Sequence, residues 1–176
     1  MLVKWLLIIA AIVLIAYLLL FRRVKPLRYR GQTAANFPRF IESLMSQGGD
    51  GALLFIHHEN SDRFVQFAKY LTPRRHICFA FPDASWSRPY YSAVATALVE
   101  TGFQTYEQST GEDTAPRFLR VDDIWTVQSG AEIAATAFQA MGLAAHATYT
   151  IYQEGPASFS EWKRYEANRS KRLTNR

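Results

Sequence analysis

Seventeen consecutive side chains, residues 5–21, are apolar, with no Pro, Gly or charge among them. As a helix rising about 1.5 Å per residue, that run spans roughly 26 Å, close to the ~30 Å hydrocarbon core of a bilayer. Basic residues follow at once, where a cleaved signal would show a small-x-small site. The pattern predicts a retained transmembrane helix over residues 1–21. Its flanks are unequal. Lys4 precedes it, while Arg22, Arg23, Lys25, Arg28 and Arg30 follow. Positively charged flanks stay on the cytoplasmic side. The expectation is therefore a single-pass protein of the bacterial inner (cell) membrane with a cytoplasmic soluble domain. Residues 22–35 form a basic juxtamembrane linker whose arginines and lysine lie against an anionic membrane surface.

Beyond the linker the apolar positions acquire a period. Phe37, Phe40, Ile41, Leu44 and Met45 repeat at intervals of three and four, which predicts a helix over residues 36–47. Asn36 is placed to cap it, and Gly48-Gly49 to stop it. Residues 52–58, 63–71 and 76–81 read as strands, joined by short polar connectors into an antiparallel meander. The first is almost wholly apolar, as if covered on both faces. In the second, Val65 and Phe67 share a side with Lys69, opposite Phe64, Gln66 and Tyr70. Ser87 and Pro89 open a second helix that Gly102 ends. Two further strands cover residues 103–109 and 116–121. Ser129 to Glu132 has the spacing of a capping box for a third helix. Residues 145–152 alternate as a sixth strand, and Ser158 to Glu161 opens a short basic helix. The order α-β-β-β-α-β-β-α-β-α predicts an α+β fold, two layers with an antiparallel sheet, over residues 36–155. Residues 156–176 form a basic C-terminal helix or tail.

Charge is uneven along the chain. The net charge is +5, yet the basic residues concentrate at both ends, and residues 31–160 carry thirteen acids against eight bases. The high isoelectric point therefore gives no reason to expect nucleic acid as a partner. The one cysteine, Cys78, rules out an internal disulfide and reads as a buried structural thiol.

Candidate chemistry is thin. In His57-His58-Glu59, adjacent strand residues point to opposite faces, so only His57 and Glu59 share one, with His76 or His146 as remote additions to a metal set. Asp122-Asp123 ends a strand, where carboxylates commonly act as caps or sit in solvent. No phosphate loop, nucleophile elbow or paired-cysteine motif is present, and nothing calls for a cofactor. The aromatic content of 14% is more informative. Trp86, Tyr90, Tyr91 and Trp125 fall in segments expected at loops or domain edges, where aromatic side chains anchor protein partners.

The element order, the strand Arg63-Phe64-Val65-Gln66-Phe67 and the Ala-rich third helix over residues 131–141 resemble the type III secretion chaperone-like superfamily, including its YbjN-type and TY-Chap groups. The similarity covers residues 36–143. It implies a domain that binds another polypeptide, often as a homodimer, without catalytic residues. The expected function is a membrane-anchored, chaperone-like or adaptor module with a protein partner. Two alternatives follow from the same residues: an immunity-type protein whose acidic middle neutralises a toxin, and an enzyme using His57, Glu59 or Asp122.

Overall fold

The computed structural model describes residues 27–71, 76–109 and 117–154. Seven strands form one sheet: β1 (Leu27–Gln32), β2 (Leu53–His58), β3 (Phe64–Tyr70), β4 (His76–Pro82), β5 (Tyr106–Gln108), β6 (Phe118–Ile124) and β7 (Tyr149–Glu154). Their spatial order is β1-β7-β2-β3-β4-β6-β5, and every neighbouring pair is antiparallel. Helices α1 (Phe37–Gln47), α2 (Arg88–Glu100) and α3 (Val127–Ala140) form the second layer, with α3 packed against both of the others. The α+β class is thus the observed one, and β2-β3-β4 is the expected meander.

Period-two alternation explains where the core lies. Leu54 and Ile56 of β2 pair with Phe67 and Val65 of β3, and Phe67 pairs with Phe79 of β4. All five are fully buried beneath the helices, together with Phe37, Ile41 and Leu44 of α1 and Ile133, Ala134 and Ala137 of α3. Each fully buried large apolar side chain contributes about 1.5–3 kcal/mol, so this interface carries most of the driving force. Lys69 falls on the same side. It is 3% exposed and donates from Nζ to the Met45 carbonyl at 2.6 Å, placing a positive charge at the C-terminal end of α1.

Several expectations are corrected. The longest described helix, α3, has 14 residues, and among the described residues no helix is long and apolar enough to cross a membrane. The apolar run over residues 5–21 lies outside them, as do Arg22, Arg23 and Lys25 and the basic tail over residues 156–176. The transmembrane, single-pass, inner-membrane description has no element of the structure behind it and is set aside. The juxtamembrane linker is not a linker throughout, because Leu27–Gln32 is the edge strand β1, paired to β7. Leu27 and Tyr29 are half-buried, with Tyr29 packed 5.1 Å from Phe40, while Arg28 and Arg30 alternate outward. The capping box at Ser129 gives way to a helix that begins earlier, where the Thr126 hydroxyl accepts from the Ser129 amide at 3.0 Å.

Gly48 ends α1 for a different reason from the one expected. Its φ of −58° is open to any residue, but a Cβ there would lie 2.6 Å from the Leu44 carbonyl oxygen and 2.9 Å from the Ala52 Cβ. Close approach, rather than a left-handed turn, requires glycine. Asp123 does have a left-handed backbone, at φ 56°. Ile77 pairs with Ile124, but Phe79 pairs with Val121, so β6 carries an extra residue opposite Cys78. This bulge returns Ile124 to the core and leaves Asp122 on the other side of the sheet.

Candidate protein-binding surface

The strand register that buries Leu54 and Ile56 turns the alternate residues toward the other face of the sheet, which none of the described helices covers. Phe55 pairs with Tyr152 of β7 and Gln66 of β3, and His57 pairs with Phe64. Phe55, His57, Phe64 and Tyr152 therefore share that face, all half-buried. Leu53 belongs there too, so the expectation that β2 is covered on both faces is not met by any described element. A cleft of about 480 Å³ opens over these strands, lined by Phe55, His57, Asp62, Phe64, Trp86, Tyr152 and Glu154.

Trp86 reaches the cleft from the loop between β4 and α2, which is pinned at several points. The Ser87 hydroxyl is fully buried, accepts from the Ala84 amide at 2.8 Å and donates to the Pro82 carbonyl. It therefore fastens the loop internally and makes no side-chain cap to α2, contrary to its expected role. Asp83 accepts from Arg88 at 3.3 Å and from Arg117 at 3.0 Å. Burial works against ionisation of Asp83, but these two arginines outweigh it and hold the carboxyl below its ordinary range. The loop so fixed sets the Trp86 ring 4.8 Å from Phe64 and 5.6 Å from Phe81.

The other predicted anchors go elsewhere. Tyr90 accepts a hydrogen bond from Arg63 at 2.7 Å, and the Arg63 guanidinium lies 4.6 Å above its ring while also donating to the Met141 carbonyl at 2.9 Å. This links the start of α2 to the end of α3. Tyr91 stacks on Phe81 at 6.1 Å, and burial, followed by the Glu107 and Asp83 charges, pushes its hydroxyl up to about 12. Both tyrosines are engaged in packing. Trp125 is 48% exposed and lies 5.6 Å from His76, which stacks on Tyr70. That cluster is at the opposite end of β3 from Phe64, about 20 Å away at ~3.3 Å per residue. Trp86 and Trp125 thus belong to separate patches.

The candidate catalytic and metal-binding residues do not meet. His57 lines the cleft, stacked on Phe64 at 6.1 Å. Glu59 instead accepts from the Gly31 amide at 2.8 Å and the Thr150 hydroxyl at 2.9 Å, tying β1 and β7 to the turn after β2. The Gly31 amide, then Thr150, lowers the proton affinity of its carboxyl. Asp122 lies three strands from β2, bound by Arg120 at 3.0 Å and by the Tyr106 hydroxyl. Burial, then this bond, pushes Tyr106 up to about 12. Arg120 also donates to the Cys78 sulfur at 3.0 Å. Cys78 is buried, as expected, and burial raises its thiol above the ordinary value. His76 pairs with Tyr70 at the far end of β3 from His57, and among the described residues, His146 included, no three His, Cys, Asp or Glu side chains group as metal ligands.

Of the residues around the cleft, Trp86 is the one expected from the sequence at a partner surface, and Phe55, Phe64, Tyr152, Asp62 and Glu154 join it only in the folded sheet. The signal that finds Phe55, Phe64 and Tyr152 is the same alternation that defines the core, read for its other face, whereas Asp62 lies in the bend before β3 and Glu154 beyond the strand expected over residues 145–152. Compared with protein-family models, curated proteins and solved structures, the chain matches none.

Proposed function

We propose that this chain is a protein-binding module, chaperone-like or adaptor in kind, that grips a polypeptide on the face of its sheet opposite the described helices and performs no chemistry on it. The observation that carries this reading is the aromatic cleft formed by Phe55, Phe64, Trp86 and Tyr152 on that face. Rigid aromatic side chains at the centre of a concave surface supply most of the energy of a typical protein interface. The pinned Trp86 loop supports the reading further, because an anchor already held in place loses less entropy on binding. The enzyme alternative is weakened by the separate engagements of Glu59 and Asp122 described above.

The test compares two variants of the full chain for stable association with polypeptide in cell extract. Phe55→Asp, on the cleft floor, is expected to abolish association while the melting temperature stays within a few degrees of wild type. Val99→Asp, at a 56% exposed site on α2, is expected to leave association intact. Equal association by both variants would contradict the proposal.

A further inference from the structure

The cleft has a definite chemistry. Its floor is a continuous run of rings, with Phe64 at 4.8 Å from Trp86, 6.2 Å from Phe55 and 6.1 Å from His57. Among the described residues the lining contains two exposed carboxylates, Asp62 and Glu154, and no Lys or Arg. Among the described residues neither carboxylate forms an ion pair. Aromatic faces carry negative charge density and attract a cation, and neighbouring carboxylates add to that attraction. A neutral apolar ligand leaves the carboxylates unused, and an anion is repelled by them. One lining ring already faces a planar cation of the chain, since the Arg28 guanidinium lies 5.2 Å above Tyr152, its partner across β1 and β7.

We propose that the cleft accepts a Lys or Arg side chain presented by a separate polypeptide partner, with its charged head over the Phe64–Trp86 surface and near Asp62 and Glu154. The inference rests on the protein-binding reading and names the side chain which that site selects. Charge complementarity identifies the occupant: the lining is acidic and aromatic, so the matching segment is basic.

The test titrates the full chain with three capped tripeptides, Gly-Arg-Gly, Gly-citrulline-Gly and Gly-Leu-Gly. The readout is the indole resonance of Trp86, assigned with Trp86→Phe. The arginine peptide is expected to bind at least about fivefold tighter than its neutral citrulline analogue, with salt narrowing the gap. The double variant Asp62→Asn, Glu154→Gln is expected to lose that preference while its fold, judged by the rest of the spectrum, is unchanged. Equal binding of all three peptides, or a preference that survives in the double variant, would overturn the inference. Binding that appears only after Lys163→Gln and Arg164→Gln would assign the cleft to the chain's own C-terminal segment, and binding that appears only on dilution would assign it to a second copy. Either result would also overturn it. An arginine preference without any Phe55-dependent association removes the protein-binding reading and leaves a cation site. Phe55-dependent association without an arginine preference removes this inference alone.

Discussion

At the scale of single residues, function and stability meet in side chains that hold the cleft in shape. Ser87 carries no charge and touches no proposed partner, yet its buried hydroxyl satisfies both the Ala84 amide and the Pro82 carbonyl. Ser87→Ala leaves those groups unpaired, which costs about 1–3 kcal/mol. Chemical denaturation should show that loss, and the Trp86 resonance should shift as its loop loosens. His58 faces the helices and contacts the Ser61 hydroxyl at 2.7 Å, with its ring 6.0 Å from Tyr149. Burial first, then the Arg63 charge, lowers its proton affinity below the ordinary value of 6.5. The unfolded chain therefore takes up the proton first as pH falls. The contribution is complete above about pH 6.5 and is lost as pH falls from there toward the lower folded value. Urea midpoints should drop more steeply for wild type than for His58→Gln between about pH 7.5 and pH 5.5. Parallel profiles would show that His58 titrates alike in both states. Neither role was legible beforehand. Ser87 looked like a helix cap because it precedes Arg88-Pro89, and only the folded loop shows that its hydroxyl turns back toward Pro82.

Elements were legible where the hydrophobic period was long and unopposed. The stripe of α1 and the alternation of β3 placed the right residues in the core, including Lys69 on the buried side of β3. β1 is hidden although Leu27-Arg28-Tyr29-Arg30 alternates plainly, because its arginines continue a basic run that has the form of a topology signal. The start of α3 was misplaced by a capping pattern three residues inside the helix, where Thr126 is the working cap. The bulge in β6 was not legible either, since a single extra residue leaves no trace in the sequence until its partner strand is known. How closely the helices approach is a further property of the assembled layer. A Cβ on Gly130 of α3 would lie 2.8 Å from Ile41 Cγ2 and 3.3 Å from Ile77 Cδ1. Both contacts belong to buried, branched side chains with little room to move. Gly130→Val should therefore destabilise the protein by about 1–3 kcal/mol through overpacking, despite the better helix propensity of a residue with a side chain. A stability equal to or above wild type would mean that α1 and α3 can separate at little cost.

At the scale of the whole molecule, the defining property is asymmetry. Among the described residues, three helices cover one face of a seven-stranded sheet, and the other face presents a cleft made of aromatic rings and carboxylates. The same period-two pattern builds both faces, so the strand-borne floor of the candidate site, Phe55, His57, Phe64 and Tyr152, was latent in strands legible from the sequence. What the sequence could not supply was the pairing of β7 between β1 and β2, which brings Tyr152 and Glu154 beside Phe55 across nearly a hundred residues of chain. The most direct test of the central claim is site-specific photo-crosslinking of the full chain in living cells. A photoreactive phenylalanine analogue at Phe55 should yield discrete crosslinked polypeptide, and the same analogue at Val99 on the helical layer should yield little. Equal yields at the two positions, or none at Phe55, would contradict the claim that the face opposite the described helices is the one that binds.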